Sequence, residues 1–270
     1  MDNTPLFSNK IKYPILLVHG TGSRDDKRMN CWGRIPKAME KAGADVFYSN
    51  QDAWGTTQNN AEIVKKSALT VLSKTGSKKL NIIALSKGGL ESRYMIHKLG
   101  MSDKVASLTT ISTPHHGSKT MDFLCKRLPM LLKFIAVFMN FAYRLYGDEN
   151  PDFYNTCRQF TTAYSKKFNI EIPNSSKVYY QSYASAMKKP HSDMLLFIPH
   201  LFVKKFDGEC DGIVSVDSSK WGVFKGIITT ERIRGISHSD LRDFRRRGPA
   251  GKFVVEAYIN IVNDLKNMGY

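Results

Sequence analysis

A serine, an aspartate and a histidine, in that chain order, are the residues of this sequence best suited to chemistry. Ser86 lies in residues 80–89 (LNIIALSKGG), where an apolar run ends in a serine, small residues follow, and a helical pattern begins. This arrangement is typical of a nucleophile elbow, the tight strand-to-helix turn that lifts a serine hydroxyl out of a sheet. The usual G-x-S-x-G is A-x-S-x-G here, with Ala84 in the first small position. The pattern predicts that Ser86 is a catalytic nucleophile.

The partners that Ser86 needs come later in the chain. A serine hydroxyl is a weak nucleophile until a histidine accepts its proton, and that histidine needs a carboxylate to orient it. Asp211 begins residues 211–214 (DGIV), and His238 follows the last predicted strand. In sheets with a nucleophile elbow these residues occur in the order Ser, then Asp or Glu, then His. We therefore expect Asp211 to be the acid and His238 the base.

Other residues could fill both roles. The alternatives to Asp211 are its acidic neighbours Asp207, Glu209 and Asp217, and the alternative for His238 is a structural loop histidine. None of the other histidines follows the final strand. They are His19, His97, His115, His116, His191 and His200.

Two backbone amides are expected to bind the oxyanion that forms when the serine attacks. One is the amide of Lys87, directly after the nucleophile. The other is the amide of Thr21, in the segment that follows the predicted strand 15–18 through His19 and Gly20. Side chains are weakly constrained at such sites because the donors are backbone groups. An ordinary strand-ending turn is the alternative for this segment.

The composition is that of a globular chain with a strong positive charge. Its 270 residues can form one large α/β domain or two small ones. The 40 Lys and Arg against 24 Asp and Glu give a net charge of +16, which favours anionic partners such as nucleic acid or acidic lipid headgroups. No zinc-finger, RNP or basic-zipper pattern is present, so nucleic acid is not expected as a partner. The basic run 245–247 is expected to be solvated surface, with a binding patch as the alternative.

The N-terminus and the cysteines bear on the cellular compartment. Residues 1–7 lack a basic segment followed by an apolar one, so we expect a cytoplasmic protein, or a secreted one if a signal was removed. The four cysteines lack the close pairing of a zinc site, and no metal site is predicted from them. Free thiols are expected, with disulfides as the alternative.

Short apolar runs alternate with longer segments of helical period. This alternation predicts an α/β fold, with a mostly parallel sheet and helices on both faces, formed by residues 1–270 as a single domain. The predicted strands are 15–18, 45–48, 80–84, 105–112, 178–183 and 226–233, and the predicted helices are 32–41, 60–74, 87–99 and 252–267.

One long insertion, at about residues 118–177, interrupts this alternation. Within it, residues 130–146 are apolar almost all round. A membrane span needs about 20 apolar residues, so this shorter run, which contains Lys133, is not predicted to cross a membrane. A mobile lid beside the active site is expected, with a buried core helix as the alternative.

Several motifs together resemble one enzyme family. The sequence resembles the bacterial family I triacylglycerol lipases of the Pseudomonas type, and the similarity covers nearly the whole chain. The motifs that carry it are residues 13–20 (YPILLVHG), the Ser86 elbow, residues 105–118 (VASLTTISTPHHGS) and residues 211–215 (DGIVS).

The resemblance implies an α/β-hydrolase fold with a helical lid insertion and hydrolysis of acylglycerols or related carboxylic esters. It implies a lipid ester substrate at an oil–water or membrane interface, and the triad Ser86, Asp211 and His238 with oxyanion amides at Thr21 and Lys87. A protein of this kind is expected to require no cofactor, and the resemblance does not indicate an oligomeric state. One departure is Leu85, which stands before the nucleophile where relatives usually have histidine.

The resemblance also raises the question of a structural calcium ion, because such lipases often bind one near the catalytic histidine. Asp240 matches one carboxylate ligand and Asp193 is a candidate for a second, but Phe244 stands where an amide ligand is expected. For Asp240, a calcium ligand and an ordinary loop carboxylate are both open.

Related functions use the same residues. A phospholipase, an acyltransferase or a soluble carboxylesterase would have the same triad and oxyanion amides. A non-catalytic lipid-binding protein of this fold is the alternative from another class, and the presence of all three triad residue types in order argues against it.

Overall fold

The computed structural model describes residues 10–25, 31–230, 234–243 and 248–270. Within these residues a six-stranded sheet has the order β2-β1-β3-β4-β5-β6, and every neighbouring pair is parallel. The predicted parallel sheet is thereby confirmed. The strands are β1 (Ile15–Val18), β2 (Val46–Tyr48), β3 (Leu80–Leu85), β4 (Val105–Ile111), β5 (Tyr179–Ser185) and β6 (Val223–Ile228).

Helices cover both faces of this sheet, as predicted. Helices α1 and α9 pack on one face, and α2 and α3 pack on the other. The α-helices of the described residues are α1 (Ile35–Lys41), α2 (Thr57–Thr75), α3 (Lys87–Lys98), α4 (Lys119–Arg127), α5 (Pro129–Leu145), α6 (Phe153–Arg158), α7 (Thr162–Glu171), α8 (Phe197–Asp207) and α9 (Gly248–Asn267).

Strands β1, β3 and β4 are buried on both faces, which explains why β1 and most of β3 are apolar without alternation. In β1, Ile15 and Leu17 belong to the core cluster under α1 and α9, whereas Leu16 and Val18 belong to the cluster under α2 and α3. This division follows from the period of two in a strand. The buried β1, β3 and β4 form a rigid platform, and the residues that follow their carboxyl ends are held at one edge of the sheet.

Most of the predicted element boundaries differ from the observed ones by one to five residues, with the larger shifts at β6, α1, α2 and α9. The last strand, predicted at residues 226–233, runs from Val223 to Ile228, and residues 231–233 lie outside the described part of the chain. Helix α2 starts at Thr57, before the predicted start at residue 60, because the side chain of Thr56 caps it by accepting a hydrogen bond from the Asn59 amide.

Four helices, α4 to α7, occupy the predicted insertion between β4 and β5. Helix α5 is not a buried core helix, since only Leu132 and Ala136 are buried along its length. Within the described residues, no single helix is long and apolar enough to cross a membrane, and α4 and α5 meet that criterion only as a pair bent by 96°. The apolar side chains of α5 that are 63% to 77% exposed are Met130, Phe134, Val137, Phe138, Phe141 and Leu145.

Helix α8, between β5 and β6, is an element that the sequence interpretation did not include. It packs on α4, where Phe206 stacks on Phe123 with ring centroids 5.5 Å apart. Its last residue, Asp207, accepts hydrogen bonds from the Lys119 and Thr120 amides at 2.6 and 3.1 Å and so caps the first turn of α4. Asp207 is therefore a structural carboxylate that joins two helices.

Other predictions are resolved only in part. All four cysteines, Cys31, Cys125, Cys157 and Cys210, are free thiols. The N-terminal residues 1–7 and the basic run 245–247 lie outside the described residues.

Candidate active site

Ser86 stands on a strained turn between β3 and α3. Its backbone has φ 55° and ψ −130°, and α3 begins with the next residue. A non-glycine residue with positive φ costs roughly 1–3 kcal/mol and persists only where its surroundings hold it. The Ser86 amide donates to the Ile111 carbonyl at 2.9 Å, and the Thr113 hydroxyl donates to the Ser86 carbonyl at 2.7 Å. The end of β4 therefore holds this turn in place.

Two glycines allow the end of β1 to pass directly against this turn. A Cβ atom on Gly20 would lie 2.7 Å from the Ser86 Cβ atom. A Cβ atom on Gly88 would lie 2.5 Å from the His19 carbonyl oxygen. Real Cβ atoms do not approach so closely, so both positions require glycine. This packing explains the second small position of the A-x-S-x-G motif.

Leu85, the departure before the nucleophile, is part of the apolar core. It is buried in the same cluster as Ile236 and Leu241, which flank His238 in the chain. Leu85 therefore contributes to the same apolar core as the residues on either side of His238.

His238 and Asp211 form a directly bonded pair. The His238 Nδ1 atom lies 2.7 Å from the Asp211 Oδ2 atom. Asp211 is fully buried, and its Oδ1 atom accepts hydrogen bonds from the Ile213 and Val214 amides at 3.1 and 2.9 Å. Burial by itself would raise the pKa of Asp211, but the neighbouring His238 and the two amides outweigh burial and hold that pKa below its usual value.

Ser86 and Thr21 line one cavity of about 330 Å³. Among the described residues, no hydrogen bond joins the Ser86 hydroxyl to His238. The structure thus brings Asp211 and His238 into contact and leaves the serine at the cavity wall. The apolar cavity walls come from α4 (Met121, Leu124), from α8 (Ile198, Phe202, Val203) and from the segment after Asp211 (Ile213, Val214).

The two residues whose amides are predicted to bind the oxyanion are both close to Ser86. Lys87 is the next residue in the chain, and Thr21 lines the same cavity. Thr21 follows Gly20, and Lys87 is the first residue of α3. Within the described part of the chain, neither amide donates a hydrogen bond to another protein atom. Free amides at a helix start and in the adjoining segment can bind developing negative charge.

Two of the three alternative acids, Asp207 and Asp217, have other partners. Asp207 caps α4, and Asp217 forms an exposed ion pair with Lys220 at 2.7 Å. Neither bonds to a histidine ring.

The two candidate calcium ligands raised by the resemblance, Asp193 and Asp240, meet at one serine. The carboxylates of Asp193 and Asp240 both lie within hydrogen-bond distance of the Ser237 hydroxyl, at 2.8 and 2.9 Å. The same Asp240 oxygen also accepts from the Ser237 amide. Calcium takes six to eight oxygen ligands, whereas no group of three or more His, Cys, Asp or Glu side chains arranged for a metal occurs in the described residues. Phe244 lies outside those residues.

Sequence reasoning missed two components of this site. Helix α8 supplies one wall of the cavity, and apolar residues at helical spacing, Phe197, Ile198, Leu201 and Phe202, could have revealed it. A buried ion pair between Lys87 and Glu91 lies directly behind the nucleophile. The spacing of four residues was its only sequence signal.

Residues 14–198 match the sequence profile of the palmitoyl protein thioesterase family. This match covers more than half of the 270 residues. The chain belongs to the palmitoyl protein thioesterase family. It shares with that family the segment from β1 to the start of α8, which contains Ser86 and both free amides.

Relatives of this family member include named lipases. It is 30% identical over 261 residues to triacylglycerol lipase 2 of Saccharomyces cerevisiae, with 88% of this chain and 74% of the relative covered. It is 32% identical over 177 residues to a triacylglycerol lipase of Pseudarthrobacter phenanthrenivorans, with 61% of this chain and 55% of the relative covered. The chain thus spans about half the length of that bacterial relative.

Solved structures share its fold. The lipase of Staphylococcus hyicus superposes with a TM-score of 0.71 at 16% identity, over 99% of this chain and 97% of that one. The predicted α/β-hydrolase fold is confirmed. The protein is a hydrolase of the lipase and esterase class, and the resemblance to lipases is confirmed at that level.

Proposed function

We propose that this protein is a triacylglycerol lipase that acts through a Ser86, Asp211 and His238 triad and an acyl-enzyme. The observation that carries the proposal is the bonded His238 and Asp211 pair in a fold where Ser86 occupies a strained elbow at the wall of an apolar cavity. The yeast and bacterial relatives bear the same activity in their names. The narrower Pseudomonas type is part of this proposal.

The reaction is acyl transfer in two halves. His238 takes the proton of Ser86 as the oxygen attacks the ester carbonyl, and the Thr21 and Lys87 amides bind the resulting oxyanion. The intermediate collapses, the carbon–oxygen bond to the alcohol breaks, and His238 protonates the departing alcohol. Water then attacks the acyl-enzyme with His238 as base, the bond between the acyl carbon and the Ser86 oxygen breaks, His238 returns the proton to Ser86, and the fatty acid leaves. Asp211 accepts a hydrogen bond from the Nδ1–H group of His238 throughout.

The missing hydrogen bond between Ser86 and His238 is consistent with this role. Catalytic hydrogen bonds are often long or absent in free enzymes and form when substrate binds. An ester bound in the cavity would exclude water and bring the two groups into contact.

The surface around the cavity favours a lipid substrate. Helix α5 exposes one apolar face, and α8 exposes Ile198, Leu201 and Phe202 beside the cavity. Exposed apolar faces of this kind mark interaction sites. We take the insertion at 118–177 as a lid whose α5 contacts an oil–water or membrane interface while the ester enters the cavity.

A fluorophosphonate probe followed by peptide mapping tests the nucleophile. The expected result is stoichiometric modification of Ser86 in the full chain, and loss of labelling together with loss of triolein hydrolysis in Ser86→Ala. Ser107→Ala, a buried serine in β4, is the control that should keep both. Labelling of another residue, or triolein hydrolysis by Ser86→Ala, would reject the proposal. Hydrolysis of phospholipid vesicles in preference to triolein would assign a phospholipase.

A further inference from the structure

The residue after the nucleophile directs a charged side chain into the protein interior. Lys87 and Glu91 lie one turn apart on α3, each is 1% exposed, and the Lys87 Nζ atom donates to the Glu91 Oε1 atom. Burying such a pair costs desolvation free energy, and an apolar pair of similar volume often stabilises a protein as well or better. The pair therefore calls for an explanation other than stability.

Glu91 also connects α3 to two other parts of the chain. Its Oε1 atom accepts from the Asn60 side chain of α2 at 2.8 Å. Its Oε2 atom accepts from the Gln51 side chain, in the segment after β2, at 3.1 Å. One carboxylate thus bonds to Lys87, Asn60 and Gln51, and all of these side chains are buried.

Gln51 extends the connection to the end of β1. Its Nε2 atom donates to the His19 carbonyl at 2.9 Å. The His19 ring lies against the Gln51 carbonyl at 3.1 Å and against the Gly20 carbonyl at 2.8 Å. The chain of buried polar contacts therefore runs from Lys87 through Glu91 and Gln51 to the residues just before Thr21.

The two ends of this chain are the two segments that supply the free amides. Lys87 itself carries one amide, and Thr21 follows Gly20. The segments come from different strands, so their separation depends on tertiary contacts. Oxyanion stabilisation requires donors about 2.7–3.1 Å from the oxyanion position, so small errors in that separation reduce the rate.

We infer that Glu91 is a positioning residue that sets the distance between the Thr21 and Lys87 amides, through Lys87 on one side and Gln51 with His19 on the other. This inference rests on the oxyanion role given to those amides in the proposed function. Glu91 does not touch substrate; it acts through the two backbone segments. Its test therefore needs a readout that responds to the oxyanion geometry and not to stability alone.

The test uses Lys87→Met/Glu91→Leu, which removes both charges at similar volume and keeps the Lys87 amide. A boronic acid provides the readout, because its adduct with the serine carries a tetrahedral oxyanion. Removal of one complete oxyanion donor costs about 10²–10³-fold in kcat, so displacement of one is expected to cost about 10–100-fold. The boronic acid affinity should fall by the same factor, while KM and the melting temperature stay close to those of the wild type.

A second variant and a control separate positioning from folding. Gln51→Leu cuts the link to His19 without altering either charge, and it should lower kcat and boronic acid affinity together. Asn81→Ala removes a buried side chain that accepts from Ser107 at 2.7 Å near the amino end of β3, so it should lower the melting temperature without changing kcat.

The outcomes are distinct. Wild-type kcat and boronic acid affinity in Lys87→Met/Glu91→Leu, in a protein whose Ser86 is labelled by fluorophosphonate, would overturn this inference and leave the proposed function intact. A fall in both quantities in Gln51→Leu but not in Asn81→Ala supports it even if the double variant does not fold. Failure of wild-type Ser86 to react would overturn both the proposed function and the inference.

Discussion

His238 and Asp211 are joined twice, once through side chains and once through the backbone. The His238 Nδ1 atom lies 2.7 Å from the Asp211 Oδ2 atom, and the His238 amide donates to the Asp211 carbonyl at 2.9 Å. The backbone hydrogen bond fixes the position of the His238 main chain, and the side-chain hydrogen bond fixes the orientation of its ring. The Nε2 atom is consequently left as the one ring nitrogen available to accept a proton from Ser86.

This double connection makes Asp211→Asn an informative variant. An asparagine keeps the shape but favours the wrong histidine tautomer, so kcat is expected to fall about 10⁴-fold in the folded protein. Steady-state kinetics and circular dichroism of the full chain check this. Asp217→Asn, which removes an exposed carboxylate, should retain wild-type kcat. A loss of less than tenfold in Asp211→Asn would contradict the assigned acid.

The pH dependence of stability should carry the signature of Asp211. Because the folded protein holds the pKa of Asp211 below its ordinary value of 3.8, ionised Asp211 stabilises the fold above that pH. This contribution should decline as the pH falls below 3.8 and vanish below the folded pKa. Urea unfolding of wild type and Asp211→Asn across this range measures it, and a free-energy difference that does not shrink on acidification would contradict the argument.

The strain at Ser86 predicts that two inactive variants, Ser86→Gly and Ser86→Ala, differ in stability. Glycine adopts the φ of 55° without cost, whereas alanine keeps a Cβ atom and the strain. Both variants lack the hydroxyl, so Ser86→Gly should unfold at a higher temperature than Ser86→Ala, by about 1 kcal/mol in unfolding free energy. Thermal denaturation provides the measurement. Equal or reversed stability would mean that the turn is not strained.

The exposed face of α5 predicts a selective loss at lipid surfaces. Phe138→Glu places a charge on this face, so hydrolysis of emulsified triolein should fall by roughly tenfold or more, since burying an aromatic side chain contributes about 1.5–3 kcal/mol. Hydrolysis of a dissolved short-chain ester should stay unchanged. Ile170→Glu is a matched control, because Ile170 on α7 is 73% exposed, as against 72% for Phe138, and does not line the cavity. Equal losses on both substrates would contradict an interfacial role.

The position of Val203 on α8 predicts that a larger side chain there shifts the acyl-chain preference of the enzyme. Val203 is buried and lines the cavity, so Val203→Phe should fill space that long chains need. The ratio of kcat/KM for a long-chain to a short-chain ester should fall by about 10–200-fold, the range expected for small volume changes in an apolar pocket. Leu201→Phe is the control on the same helix, because Leu201 is half exposed and does not line the cavity. An unchanged ratio in Val203→Phe would place the acyl chain elsewhere.

The sequence by itself predicted the parallel sheet, the elbow at Ser86, and the pair formed by Asp211 and His238. The parallel sheet is confirmed, and the catalytic roles of Ser86, Asp211 and His238 stay predictions. All of them depend on local signals: strand and helix periods, small residues at a turn, and the order in which loops follow strands. The sequence also indicated the apolar run at 130–146, but its period could not tell whether α5 would be covered or exposed.

Only the tertiary structure decided which residues face each other across the site. Helix α8 forms a wall of the cavity because it packs on α4, and Asp207 at the end of α8 caps the first turn of α4. The buried Lys87 side chain donates to Glu91. Glu91 also accepts from Gln51, and Gln51 donates to the His19 carbonyl just after β1. Such contacts join segments that are far apart in the chain, and they are selected by close packing of the whole interior and not by the preferences of neighbouring residues.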